Sequence, residues 1–118
     1  MLTEHCIDDC ACHLDIAILD EPGNGGANHH YRISAQTGNL VPIDIIFQNG
    51  TIPNAGVNGI THEALLAIVA DRLASFQNGP FVCNENAVAL VYINLALNSL
   101  HKRTIKRVIR EVEGKEIP

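Results

Sequence analysis

The stretch that decides the fold is Thr61–Gly114, THEALLAIVADRLASFQ-NGPFVC-NENAVALVYINLALNSLHKRTIKRVIREVEG. Its first part predicts a helix over Thr61–Gln77, and its last part a second helix from about Asn84 to Glu113. Between them, Asn78-Gly79-Pro80 forms a break, with Gly79 expected as a left-handed residue after the helix and Pro80 barring continuation. Thr61 and Asn84 are predicted N-caps, and Glu63 and Glu85 fall in first turns, where the helix dipole favours an anion. The expected product is a helical hairpin. Its long second arm concentrates positive charge in Lys102, Arg103, Lys106, Arg107 and Arg110, with Lys115 just beyond.

Upstream of the hairpin the periodicity changes from helical to alternating. His13–Asp20 places Leu14, Ile16 and Ile18 on one face. His30–Gln36 sets Tyr31, Ile33 and Ala35 against His30, Arg32 and Ser34. Val41–Gln48 sets Val41, Ile43, Ile45 and Phe47 against Asp44 and Gln48, and Pro42 suits a strand start or an edge. Glu21–Asn28 is a loop dense in turn formers, and Thr37-Gly38-Asn39 and Gln48-Asn49-Gly50 are turns. Thr51-Ile52 is expected as a short returning strand. The fold class is therefore α+β, a small antiparallel N-terminal β-sheet followed by a long two-helix hairpin. The expectation is one domain over residues 1–118, with a β-meander over 1–60 and the hairpin over 61–114.

Composition narrows the function. The chain has 118 residues and a net charge of −5, so the balance as a whole does not point to nucleic acid. The distribution is polar, however, because residues 1–60 carry Arg32 as their sole cation against seven carboxylates. No apolar run approaches the roughly 18 residues a membrane span needs. The acidic start, MLTEHCIDDC, is unlike a signal peptide, so a cytosolic protein is expected.

Four cysteines, Cys6, Cys10, Cys12 and Cys83, do not suggest a disulfide framework without a secretory signal. Cys6, Cys10, Cys12 and His13, with His5 nearby, include zinc-type ligands, but their spacing is not C-x2-C and no second knuckle follows. They read as small thiols near a strand start, and no metal or other cofactor is expected. Cys83 precedes a helix but has no identifiable base, so it too reads as structural. His62 and His101, and the pair His29-His30, show no partner for metal binding or base catalysis. P-loop, GxGxxG, G-x-S-x-G and HExxH signatures are absent, and no catalytic residue is expected.

The second helix is apolar around most of its circumference, through Val88, Leu90, Val91, Tyr92, Ile93, Leu95 and Leu97. Such a helix must be buried all round. At roughly 30 residues it would run about 45 Å, more than one sheet and one partner helix cover. Homo-oligomerisation is the expectation.

Arg103 and Arg107, four residues apart, share a helical face that Arg110 extends. Guanidinium forks suit bidentate binding of phosphate. Taken alone, the row better fits cations that complement the C-terminal end of a helix dipole. Phe76 and Phe81 flank the break; the core is the default reading for both, and a stack of one of them against a base is the alternative. Asn86, in the first turn of the second helix, either caps or bonds a ligand.

Several short strings in order carry a resemblance across roughly Phe47–Gly114. They are FQNG (47–50), VNGIT (57–61), LLAIVADRL (65–73), FQNGPFVC (76–83), ENA (85–87), LHKRT (100–104) and VEG (112–114). This set resembles the phage Thoeris anti-defence proteins of the first type, sponges for a cyclic ADP-ribose-derived immune signal. The resemblance implies a non-enzymatic protein, self-associating in the cytoplasm of an infected bacterial host. It would bind glycocyclic ADP-ribose without cleaving it. Some members with this hairpin also bind cyclic oligonucleotides at a separate site. By the same resemblance Arg103 and Arg107 would hold the pyrophosphate, Phe76 would pack on the adenine, and Asn86 would bond a base or ribose edge. Position 84 is Asn where the family usually has Arg, and Leu90–Ser99 lacks a Lys/Glu-rich face. A different oligomer interface, and a pocket across it with a different ligand preference, would follow. The competing readings are a helical-hairpin module binding nucleic acid or protein through its basic helix, and a phosphodiesterase-like enzyme.

Overall fold

A computed structural model describes residues 1–7 and 13–114, with side chains through residue 110. The chain divides into two compact units, Met1–Ile60 and Thr61–Pro118.

The first unit is built on a three-stranded antiparallel sheet in the order β1-β2-β3, from Leu14–Ile18, His30–Ala35 and Ile43–Ile46. Ile16 pairs with Ile33, and Ile33 in turn with Ile43. Because side chains alternate, this register puts Leu14, Ile16, Ile18, Tyr31, Ile33, Ala35, Ile43 and Ile45 on one face. The opposite face gathers Asp15, Arg32, Ser34 and Asp44. Arg32 pairs directly with Asp44 and donates to it through Nε (2.6 Å) and an Nη (3.0 Å). His30 also meets Asp44, with Nε2 at 3.1 Å. The Arg32 guanidinium, aided by His30, holds the Asp44 carboxyl down at about 2.

Between β3 and the hairpin, Thr51-Ile52 does not return as a strand. Ile52–Ala55 forms a single helical turn, α1, with Pro53 in its opening positions and Gly56 (φ 71°) ending it. Pro favours a helix start, and it denies a ladder a donor. The chain then runs back beside β3, where Gln48 N donates to Ile60 O and Ile60 N to Ile46 O, both at 2.8 Å. Side-chain amides clasp this segment. Gln48 Nε2 donates to Gly56 O (2.7 Å), Asn58 N donates to Gln48 Oε1 (3.0 Å), and Asn58 Nδ2 donates to Asn49 O (2.7 Å). Gly59 is required by contact, since a Cβ there would lie 2.4 Å from the Phe47 carbonyl carbon.

The second unit is the hairpin, α2 at His62–Gln77 and α3 at Asn84–Gly114. Thr61 caps α2 by accepting from Ala64 N at 3.1 Å. Two details of the connection differ from expectation. Gly79 is not left-handed; instead Asn78 N and Gly79 N fold back onto the carbonyls of Ala74, Ser75 and Phe76 and tighten the last turn. Asn84 is already helical, and the cap is Cys83, whose Sγ accepts from Asn86 N at 3.4 Å.

The structure divides the circumference of α3. Asn86, Leu90, Ile93, Leu97 and Leu100 form a half-buried stripe at spacings of three and four, the pattern of a helix packed against a partner. Val91 and Tyr92 stay 57% and 67% exposed on the remainder. No described residue is fully buried in the single chain.

Candidate functional site

The hairpin fixes where each predicted ligand-binding residue lies. Phe76 closes α2 and Asn86 opens α3, so both sit by the connection. The Phe76 ring meets Phe81 edge-on at 6.1 Å, and the Arg72 guanidinium lies over it at 4.8 Å. The cation thus faces the electron-rich side of a ring that is half-buried. Asn86 is also half-buried, and no described residue hydrogen-bonds its side-chain amide.

Arg103 and Arg107 lie at the other end. The marker is Glu63 in the first turn of α2, whose Oε2 accepts from Thr104 Oγ1 at 3.2 Å. Position 104 of α3 is therefore level with the start of α2, and the turns beyond it have no α2 residue opposite. That overhang presents Arg107 and Arg110, with Ile105, Val108 and Ile109 roughly half-exposed among them.

From position 86 to position 103 is 17 residues of continuous helix, about 26 Å at 1.5 Å per residue. To Arg107 it is about 32 Å by the same rise. One chain brings Phe76 to Asn86, and Arg103 to Arg107. It does not bring the two pairs to one small ligand.

Glu63 is the neighbour of Arg103 that the sequence did not disclose. Its Oε1 is closed off from solvent and accepts no hydrogen bond, and an Arg103 Nη lies 3.8 Å away. Burial raises the Glu63 pKa, but its own backbone N–H, the Thr104 hydroxyl, Arg103 and His62 outweigh this, leaving it below the usual range. The carboxylate is thus charged, with a side chain only 20% exposed against 42% for Arg103. Arg72 was also passed over, although its position four residues before Phe76 offered a signal. Glu63 offered none, because its partners are 40 and 41 residues away (63 to 103 and 63 to 104).

Of the zinc-type candidates, Cys10 and Cys12 lie outside the described residues. Cys6 is disulfide-bonded, which corrects the expectation of a free thiol there. Cys83 is a free, exposed cysteine. Among the described residues, no cluster of three His, Cys, Asp or Glu side chains could hold a metal ion. No helix among them is long and apolar enough to cross a membrane.

The family profile described as Acb2/Tad1, hairpin domain, matches residues 39–104, spanning β3, the amide clasp, α2 and α3 as far as Thr104. The chain belongs to the Acb2/Tad1 hairpin family. Within that family's relatives, Thoeris anti-defense 1 of Bacillus phage SBSphiJ7 is 40% identical over 92 residues, covering 78% of this chain. The match takes in 63% of the phage protein, so this chain spans less than two thirds of that relative's length. The Acb2/Tad1 hairpin match contains Phe76, Asn86 and Arg103 and stops short of Arg107.

Proposed function

We propose that this chain is a viral anti-defence sponge that acts in the cytoplasm of an infected bacterium. It binds and sequesters a cyclic nucleotide immune signal, glycocyclic ADP-ribose in the first instance, and releases it unchanged. Family membership and likeness to a phage Thoeris anti-defence protein support the setting. The chemistry of the ligand-binding residues supports binding without turnover. Phe76, Asn86, Arg103 and Arg107 offer a ring, an amide and two permanently charged forks, none of them a nucleophile or a general base. A second class of ligand, a cyclic oligonucleotide, would require another site.

The observation that carries the reading furthest is the distance between the two pairs. A ligand that stacks on Phe76 and places its pyrophosphate on Arg103 and Arg107 needs those residues from two copies of the chain. Such an arrangement accounts for the exposed apolar residues. Ile68, Val69, Val88, Val91, Tyr92 and Leu95 are each between 44% and 67% exposed in one chain, and a second copy would cover them. The protein is accordingly read as a homodimer or larger homo-oligomer.

Calorimetric titration with glycocyclic ADP-ribose and a panel of cyclic di- and trinucleotides tests this reading. Nanomolar binding, about −12 kcal/mol, is expected. It should be lost on Arg103→Ala/Arg107→Ala, and heating the complex should return intact ligand. Recovery of a cleaved product would make the protein an enzyme. Failure of the whole panel to bind below micromolar would reject the sponge. The overhanging turns favour one other reading, since they combine a basic row with exposed Ile105, Val108 and Ile109. A nucleic-acid module built on them would lose binding steeply with added salt.

A further inference from the structure

We infer that Glu63 sets the selectivity of the Arg103 end, admitting anions of low charge density and disfavouring highly charged ones. The inference rests on the reading of Arg103 as an anion-binding residue. The structure gives Glu63 three properties that suit the task. It is fixed, because Thr104 Oγ1 donates to its Oε2 at 3.2 Å. It is shielded, with Oε1 closed to solvent and without a hydrogen bond. It is also charged, and it lies 3.8 Å from an Nη of the more exposed Arg103.

A bound carboxylate and an arriving phosphate then share one guanidinium. Arg103 has donors enough for both, since its fork can turn one edge to Glu63 and another outward. The two anions repel each other, and the repulsion grows with each charge the newcomer brings. A pyrophosphate esterified at both ends carries one charge per phosphorus. Inorganic pyrophosphate and the terminal phosphate of a nucleoside triphosphate carry more than one charge per phosphorus. Glu63 therefore costs the abundant, densely charged phosphates more than a cyclic diester. Specificity of this kind comes from repulsion built against the wrong ligand. A protein meant to hold a scarce signal needs such a barrier, because it is surrounded by competing phosphates.

Glu63→Gln is the direct test, since a Gln amide oxygen still accepts from Thr104 while the charge is gone. Inorganic phosphate, pyrophosphate and tripolyphosphate are titrated onto the full chain, following the Arg103 Nε–H resonance at fixed ionic strength. The E63Q variant should bind pyrophosphate about 3- to 10-fold more tightly, the scale of one interaction between partly exposed charges. The gain should be smaller for phosphate and larger for tripolyphosphate. Thr104→Val, which keeps the charge and removes the tether, should show no such gradation. In an Arg103→Ala background, followed by calorimetry, the gain should vanish.

An E63Q gain that is absent, equal for all three probes, or retained without Arg103 overturns the inference. Because the probes are inorganic, the outcome does not depend on the nucleotide. Glycocyclic ADP-ribose failing to bind while the graded gain appears would reject the sponge and keep Glu63. Tight ligand binding without the gradation would do the reverse.

Discussion

Mixing two weakened variants gives the sharpest test of a site shared between copies. Phe76→Ala removes the aromatic ring, and base–aromatic stacking contributes about 1–3 kcal/mol by alanine substitution. Arg103→Ala/Arg107→Ala removes two charge-assisted contacts at about 1.5–3 kcal/mol each, or two to four decades of affinity together. Alone, Phe76→Ala should bind about 5- to 150-fold more weakly than wild type, and the double-arginine variant about 100- to 10,000-fold more weakly. The 26–32 Å between the pairs, worked from the helical rise, means one chain cannot complete a site by itself. In an equimolar mixture allowed to exchange subunits, half the sites receive an intact ring. Half of those receive intact arginines, so about a quarter should recover wild-type affinity in any closed oligomer. Calorimetry reads this as a phase of wild-type Kd with a stoichiometry near one quarter, resolved from the weaker remaining sites. A mixture that exchanges, as shown by mass spectrometry, and recovers nothing would refute the shared site.

Three further outcomes follow from the geometry. Gly59→Ala should destabilise the first unit by about 2–4 kcal/mol, because the new Cβ meets the Phe47 carbonyl and the paired backbone must part; urea denaturation measures this, and an unchanged midpoint would contradict the contact. Asp44, held down at about 2 by Arg32 and His30, is ionised in the folded state where an ordinary aspartate begins to protonate. Its contribution is thus full above about pH 4 and fades as pH falls through 2, so the stability difference between wild type and Asp44→Asn should shrink over that window; a difference that stays constant would show that the pair contributes nothing through charge. Val91→Glu/Leu95→Glu, on the exposed side of α3, should lower the mass seen by sedimentation equilibrium while helicity persists. An unchanged mass would place the interface elsewhere.

Much of the fold could be read from residue order, because the governing interactions are local. Alternation in HLDIAILD, HYRISAQ and VPIDIIFQ marks three strands, since a strand's two faces differ at every step. Thr61 announces α2 through an oxygen three residues from the N–H it accepts. The misreadings lay where local signals competed. Thr51-Ile52 has β-branched side chains, but Pro53 and Gly56 turn the segment into α1. Asn84 is the better capping side chain, yet the chain after Pro80 brings Cys83 to the position. Gly79 is free to be left-handed, but the carbonyls of the last turn are met without that.

The recognisable strings show the same division. FQNG and VNGIT stand out as motifs, and only the folded chain shows that they bond to each other, Gln48 and Asn49 with Asn58. They form a clasp that leads the chain into α2. Arg103 and Arg107 were visible as a row because helical neighbours are four residues apart. Their distance from Phe76 and Asn86 was not visible, because it depends on the connection folding α3 back along α2 and leaving its end unmatched. By itself the sequence determined the three strands, the two long helices and the chemistry of four side chains, all through contacts a few residues long. Tertiary structure alone decided that the ring and the forks lie at opposite ends of the hairpin and that Glu63 stands beside Arg103, because those relations join residues tens of positions apart.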